Sequence, residues 1–260
     1  MFSRFTHALV CPPARTFADG LTSVSLGAPD VARAQAQHAA YCDALARHGC
    51  RVEALAADEA HPDSTFVEDT ALIVPGSGAI LSRPGAVSRR GEVAAVGEHL
   101  ANYFPGLPAI VAPGTIDMGD VCETEDHVFI GISHRTNLDG ATQLSAWLTG
   151  IGKSSSTVDI RTTPGILHFK SGVSALRNKQ LVVITEMAAH PAFAAYEVVP
   201  VPDGEAYAAN CVLVNDVVFV AAGFPGTHAV LRKLGYTLEI LEMSEFEKMD
   251  GGLSCLSLRF

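Results

Sequence analysis

The chain reads as an α/β protein closed into a ring of five ββα-type units, and three observations predict this. Strand–turn–strand patterns open near Glu68, Asp117, His168, Asn210 and Cys255, a period of roughly 45–50 residues, within the range of propeller-like and solenoid repeats. Helical stretches follow several of these hairpins. The last unit is cut short after CLSLRF, so its partner must be the N-terminal strand, and the two chain ends meet to close the ring. No linker or composition break interrupts residues 1–260, so one domain is expected.

Taken in order, HALVC (7–11) is a short strand stopped by Pro12-Pro13. Asp30 caps a helix whose apolar positions Val31, Ala34, Tyr41, Cys42 and Leu45 keep helical spacing, and Gly49 closes it. RVEAL (51–55) is a strand, followed by the turn-rich HPDST. FVEDTALIVPGSGAILS (66–82) is strand, glycine turn, strand, and SRRGEVAAVGEHLANYF (88–104) is an amphipathic helix. GDVCETEDHVFIGIS (119–133) repeats the hairpin, with a helix through LDGATQLSAWL (138–148). SGVSALRNKQLVVIT (171–185) is a third hairpin, turning at Arg177-Asn178-Lys179. ANCVLVNDVVFVAAG (209–223) is a fourth, turning at Asn215-Asp216, and GTHAVLRKLG (226–235) is its helix. Cys255 is expected on the strand that follows the tight turn at Gly251-Gly252.

A hydrophobic content of 48% in 260 residues is enough for a large core. The net charge of -10 argues against nucleic acid or an anionic membrane surface as partner. It does not forbid a cationic ligand, which a local acidic cluster would attract. The cysteines at 11, 42, 50, 122, 211 and 255 form no CxxC pair, which excludes a zinc ribbon, and a chain of this size needs no disulfide framework. The N-terminus lacks a signal-peptide pattern and no apolar run is long enough for a bilayer, so a reduced, cytoplasmic protein is expected. Edge strands of so small a ring leave a homodimer open.

A ring brings the openings of its five units to one axis, where residues distant in sequence meet. Cys255, His168 and Asp117 then suit a thiolate nucleophile, an acid–base imidazole and a carboxylate that orients it. Taken singly, each has a plainer explanation: a small buried hydrophobe, a satisfied histidine and a turn-forming aspartate. Asp63, Glu68 and Asp69 crowd one short stretch, and the last two stand inside an apolar run, where an uncompensated charge is costly. A guanidinium is a fitting counter-ion, being planar, permanently charged and bidentate toward carboxylates. Arg89 and Arg135 offer the opposite charge near the same mouth, whereas Arg90 reads as an ordinary surface pair. Acids at one end and arginines at the other fit a zwitterion, with its guanidinium inside and its amino-acid carboxylate outside.

The motifs DGLTS, PDSTFVED, RPGAVSRRGE, PGTIDMGD, GISHRTN, LHFKSG and DGGLSCLS resemble, in order and spacing and over essentially the whole chain, those of the dimethylarginine dimethylaminohydrolases. These belong to the pentein, or guanidino-group-modifying, superfamily. The resemblance implies a five-bladed α/β propeller and hydrolysis of methylated arginines to citrulline and an amine, with no cofactor and no metal. It implies Cys255 as nucleophile, His168 as general acid and base, and Asp117 as the group orienting the histidine. Asp63, Glu68 and Asp69 take the guanidinium side, Glu68 mainly by setting its neighbours. Arg89 and Arg135 hold the substrate carboxylate, the backbones of Leu21 and Met249 receive its α-amino group, and Ser254 bonds a substrate or cysteine partner. Asp117 departs from relatives with glutamate there; Met118 and Val87 depart at positions that are often small and often glutamate. The competing readings are an arginine or agmatine deiminase, a non-catalytic propeller that binds a macromolecule, and amidine transfer. Agmatine would leave both arginines without a carboxylate to hold.

Overall fold

A computed structural model describes residues 4–260 and resolves the expected ring into five small sheets. Blade 1 pairs Ala71–Val74 with Gly78–Leu81. Blade 2 holds Val121–Glu123, His127–Ile132 and Ser154–Asp159. Blade 3 holds Val173–Ala175, Gln180–Val183 and Glu197–Pro200, and blade 4 holds Val212–Val214, Val217–Ala221 and Thr237–Leu241. Blade 5 joins the C-terminal Leu258–Arg259 to His7–Val10 and Arg51–Ala54. In blades 2 to 5 the first strand lies antiparallel to the second and the second parallel to the third. In blade 1 the third strand shrinks to a single parallel bridge between Leu81 and Ala109.

A parallel pair needs a crossover, and that requirement places the helices. Val31–Arg47 crosses over in blade 5, Glu92–Leu100 in blade 1, Leu138–Gly150 in blade 2 and Pro225–Lys233 in blade 4. Asp30 caps the first by accepting from the Arg33 amide, and Asn137 caps the third by accepting from Gly140. Blade 3 crosses over with two short 3-10 turns, Thr185–Met187 and Pro191–Phe193. The helix expected over 88–104 is shorter because Val87–Arg89 forms its own 3-10 turn. The outer strands of blades 2, 3 and 4 were absent from the sequence reading. Sequences such as SSSTVD are polar and lie at a half-exposed edge, so they lack the apolar run that marks a buried strand.

Ring closure rests on the two chain ends. The amides of Thr6 and His7 donate to the Phe260 carbonyl, and Ala8 and Leu9 pair with Arg259 and Leu258. Beneath this seam the buried Tyr41 hydroxyl meets Ser257 Oγ at 2.6 Å. Tyr41, Phe17, Phe219 and Phe246 fill the core under blades 4 and 5. The turn expected at Arg177–Lys179 has positive φ at Asn178 (59°) and Lys179 (57°), and Asn215 (53°) marks the blade 4 turn. Among the described residues no helix is long and apolar enough to cross a membrane.

Each blade's first strand is preceded by one helical turn rather than beginning at the polar residue itself. These turns are Val67–Thr70, Met118–Asp120, Phe169–Gly172, Ala206–Ala209 and Ser254–Leu256. Adjacent turns touch around the axis, and the Ser254 amide bonds Asn210 Oδ1 to complete the circle. Glu68, Asp69 and Cys255, expected on strands, therefore lie on turns. A helical turn aims its side chains and amides at the axis, whereas an extended segment would send alternate residues away from it.

Because Leu258 is buried in the closing seam, Leu258→Ala is expected to cost about 2–5 kcal/mol. Urea unfolding should show this as a lower midpoint with an unchanged slope.

Candidate active site

Asp69 lies at the centre of the cluster. Its Oδ1 accepts from the Gly119 amide at 2.8 Å and lies 4.0 Å from His168 Nδ1, while its Oδ2 accepts from Arg89 Nη1 at 2.6 Å. Asp117 Oδ2 meets His168 Nε2 directly at 3.0 Å, and its Oδ1 accepts from the Gly85 amide at 2.8 Å. Donor atoms of Asp69, Asp117 and His168 all lie within 4.8 Å of one another, and all three residues are buried. Gly119 makes this packing possible. A Cβ there would stand 2.6 Å from Asp69 Oδ1 and 2.9 Å from His168 Nδ1.

His168 is the N-cap of its turn, with its backbone extended so that the ring points back toward Asp117. Burial opposes the charged ring, but Asp69, Asp117 and Asp120 outweigh it and hold the imidazole at about 9. The ring is therefore an imidazolium near neutral pH. Burial also opposes the charge on Asp69, yet the positive charges of His168 and Arg89 keep its carboxyl below the ordinary range.

Cys255 sits on the last turn, against the turn that carries Asp69. Burial and then the charges of Glu68 and Asp69 push its thiol up to about 12. Gly251 and Gly252 serve close approach rather than a special backbone angle. A Cβ on Gly251 would stand 2.2 Å from the Phe66 ring, and one on Gly252 would stand 2.5 Å from Asn210. The left-handed residue of this segment is Asp250, at φ 56°. Sequence reasoning missed Asp250. Its carboxylate accepts from the Ser23 amide (2.5 Å), from Ser23 Oγ and from Thr22 Oγ1, fastening the DGLTS loop to the segment that leads into Cys255. Pairing between segments so far apart leaves no local pattern to read.

Asp63 is buried and receives the Leu21 amide on both oxygens, at 3.0 and 3.2 Å. Burial raises its carboxyl, with Arg89 and Arg135 acting in the opposite direction. The Arg135 charge is therefore felt at Asp63, while its guanidinium makes no hydrogen bond or salt bridge among the described residues. Met249 is buried nearby, and its Cε stands 3.1 Å from where a Cβ on Gly20 would lie.

Three residues stand differently from the expectation. Arg89 is not at an outer mouth. It is buried, with Nε and Nη2 given to Glu92, Nη2 also to the Phe66 carbonyl, and Nη1 to Asp69, which leaves a single Nη1 proton free. Fixed inside, it neutralises only part of Asp63, Asp69 and Glu92, and burial lifts Glu92 to about 7 in spite of the adjacent arginine. Glu68 and Ser254 are occupied with each other (2.7 Å). Glu68 also holds Lys170 Nζ at 2.6 Å and Arg259 at 3.3 Å, and the Ser254 hydroxyl receives Asn210 Nδ2 at 3.0 Å. Both line a cavity of about 150 Å³ that runs along the first strands of blades 2 to 4. The sequence correctly marked Glu68 as a buried charge, but the lysine that compensates it lies a hundred residues away.

No family model matches the chain. The N(G),N(G)-dimethylarginine dimethylaminohydrolase of Pseudomonas aeruginosa is 42% identical over 257 residues, covering 98% of this chain and 100% of that one. The chain belongs to the dimethylarginine dimethylaminohydrolase family. A second member, from Streptomyces coelicolor, is 36% identical over 97% of this chain and 96% of its own length. The Pseudomonas aeruginosa enzyme solved as a cysteine-to-serine mutant with citrulline superposes with a TM-score of 0.96 over 99% of this chain and 100% of that one, at 42% identity. A histidine-to-glycine form of a dimethylarginine dimethylaminohydrolase, solved as an adduct with S-methyl-L-thiocitrulline, gives a TM-score of 0.95 over 98% of this chain and 100% of that one, at 42% identity. The N-terminal domain of a cyanobacterial arginine dihydrolase, at 19% identity, shares the fold alone, with a TM-score of 0.83 over 99% of this chain and 97% of that one. The pentein propeller implied by the motifs is thus the fold of this family member.

Gly119→Ala is expected to keep the fold by circular dichroism and lose at least about a hundredfold in kcat, since a misplaced acid–base group costs that much. Turnover near the parent rate would show that the Asp69–His168 spacing does not matter.

Proposed function

We propose that the chain hydrolyses N-ω-methylated arginines, asymmetric dimethylarginine and monomethylarginine, to citrulline and dimethylamine or methylamine, with residues 1–260 acting as one catalytic domain. The observation that carries this reading is the buried excess of carboxylate at the axis. Asp63, Asp69, Glu92 and Asp117 face one buried arginine and one imidazolium, so the acids outnumber the cations until a further cation enters. A guanidinium supplies that charge and matches the planar, bidentate geometry of paired carboxylates. Arg135, with its guanidinium uncommitted, takes the substrate carboxylate; Arg89 contributes its remaining proton and sets the charge of Asp69. The carbonyls of Leu21 and Met249 receive the α-amino group beside Asp63. Glu68 and Ser254 act on the substrate indirectly, by holding the turn that carries Cys255.

At rest the site holds a neutral thiol and an imidazolium. Entry of the substrate cation cancels the field of Asp69 and Glu68 at the sulfur, and the thiol loses its proton to solvent. The Cys255 thiolate then attacks the guanidinium carbon to form a C–S bond. His168 donates its proton to the methylated nitrogen as the C–N bond breaks, and the neutral amine leaves an S-alkylthiouronium. The imidazole, now neutral and held by Asp117, takes a proton from water as its oxygen bonds the same carbon. The C–S bond breaks as the adduct's hydroxyl gives its remaining proton to solvent and becomes the carbonyl; citrulline departs, and the thiolate recovers its own proton from solvent. General acid–base help of this kind contributes about a hundred- to ten-thousand-fold. The cysteines, all free, suit a reducing compartment such as the cytoplasm.

Incubation with asymmetric dimethylarginine should release citrulline and dimethylamine in equal amounts. Cys255→Ser and His168→Ala should each abolish turnover, and appreciable activity in the serine variant would end the covalent scheme. Release of ammonia from arginine in preference would reassign the chain to deimination. The pH dependence has a definite sign. Negative neighbours raise the thiol, so Asp69→Asn should move the midpoint of Cys255 alkylation by iodoacetamide to lower pH. A shift upward, or none, would contradict the electrostatic account.

A further inference from the structure

Asp120 is the one fully buried carboxylate at the axis to which the reaction above assigns no task. It is inaccessible to solvent, and burial lifts its carboxyl to about 6 although four groups favour its charge. Its Oδ2 accepts from Ser133 Oγ and from Thr136 Oγ1, both at 2.6 Å. Its Oδ1 accepts from the Phe169 amide at 2.9 Å. The two oxygens therefore hold two different parts of the site. Ser133 and Thr136 bracket Arg135, and the Ser133 oxygen also receives the amides of Arg135 (2.9 Å) and Thr136 (3.0 Å). Phe169 follows His168 directly, and its amide begins the turn that the histidine caps.

The surrounding packing keeps this clamp in place. Gly131 faces both Phe169 and Asp120. A Cβ there would stand 2.7 Å from Phe169 Cβ and 3.3 Å from Asp120 Oδ1, so a side chain would separate the strand from the turn. Thr136 Oγ1 also accepts the Asp117 amide at 3.2 Å. The same hydroxyl thus ties the acid that orients His168 to the loop that carries Arg135. Gly85, whose amide bonds Asp117, runs so close to Arg135 that a Cβ would stand 2.3 Å from the Arg135 carbonyl oxygen.

We propose that Asp120 is a positioning residue that sets the spacing between the acid–base group His168 and the carboxylate-binding Arg135, through its clamp on Ser133, Thr136 and the Phe169 amide. Substrate length is then measured from the imidazole to the guanidinium of Arg135, and Asp120 holds that distance. The inference rests on the role given to Arg135 above. The clamp is made of hydrogen bonds to a carboxylate, which are stronger than neutral ones, so loosening one arm should change binding by roughly tenfold or more.

The test uses two substrates, asymmetric dimethylarginine and the corresponding dimethylated agmatine, which has the same guanidinium but no α-carboxylate. Arg135→Ala is expected to raise KM for the amino acid about tenfold or more and to leave KM for the agmatine nearly unchanged. Ser133→Ala, which removes one of the two hydroxyls of the loop arm and leaves the Phe169 arm intact, should do the same with kcat retained. Combined with Arg135→Ala it should add little, because both act on one contact. Asp120→Asn should raise KM for the amino acid and also lower kcat on both substrates, since it loosens the His168 arm as well. Arg135→Ala with unchanged KM would remove the carboxylate-binding role itself, and the inference with it. A normal Arg135→Ala result, with Ser133→Ala affecting both substrates equally or adding fully to Arg135→Ala, would overturn the positioning role alone. Should Asp120→Asn fail to fold, the Ser133→Ala comparison decides the matter.

Discussion

The Asp69 carboxylate is the contact on which the site depends. One oxygen is held by the Gly119 amide and faces His168; the other is bound to Arg89. Through these bonds the turn opening blade 1 is tied to those opening blades 2 and 3. An ionised carboxylate this deep is costly unless every lone pair finds a donor or a cation. Asp69 meets that condition with one backbone amide, one guanidinium and one imidazolium. The geometry of the site follows from where those three partners must stand.

The electrostatics are arranged for a visitor rather than for rest. Arg89 offsets the acids only in part. Burial first, and then the neighbouring acids, raise the Glu92 carboxyl to about 7 and the Cys255 thiol to about 12. In the proposed mechanism a planar cation arriving among the carboxylates offsets the share due to those acids. Under that proposal a sulfur that ionises only beside bound substrate is also protected from stray electrophiles, because the thiolate is the reactive form.

Fivefold repetition explains how so short a chain assembles so many functional groups. Each blade contributes one helical turn to the axis, and each turn presents polar side chains and amides inward: Asp69, Asp117 and Asp120, His168, Asn210, and Ser254 with Cys255. The apolar strands that follow provide the rigid mounting. Glycines at 119, 251 and 252 mark where neighbouring turns come closest, and Gly131 marks where a strand meets a turn; a Cβ would collide with the Asp69 carboxylate and His168 ring at 119, the Phe66 ring at 251, the Asn210 carboxamide at 252 and Phe169 Cβ at 131.

Much of this was legible in the amino-acid order. Hairpin spacing, the turn residues at 177–179 and 215–216, the cap at Asp30 and a last strand whose partner is the first pointed to five blades and a closed ring. The polar residue ahead of each apolar run identified the axis, because an ionisable group inside such a run must face other polar groups. The outer strands of blades 2 to 4 escaped notice, since half-exposed edges carry mixed polarity. Only the folded chain decided which charge faces which. It turned Arg89 inward against Asp69 and Glu92, bound Glu68 to Lys170 and Ser254, left Arg135 uncommitted, and gave Asp120 hold of two loops at once. Sequence determines which groups are present and their periodicity. Their pairing depends on distances of a few ångströms between residues from three to more than two hundred positions apart, and the closing of the ring sets the long-range ones.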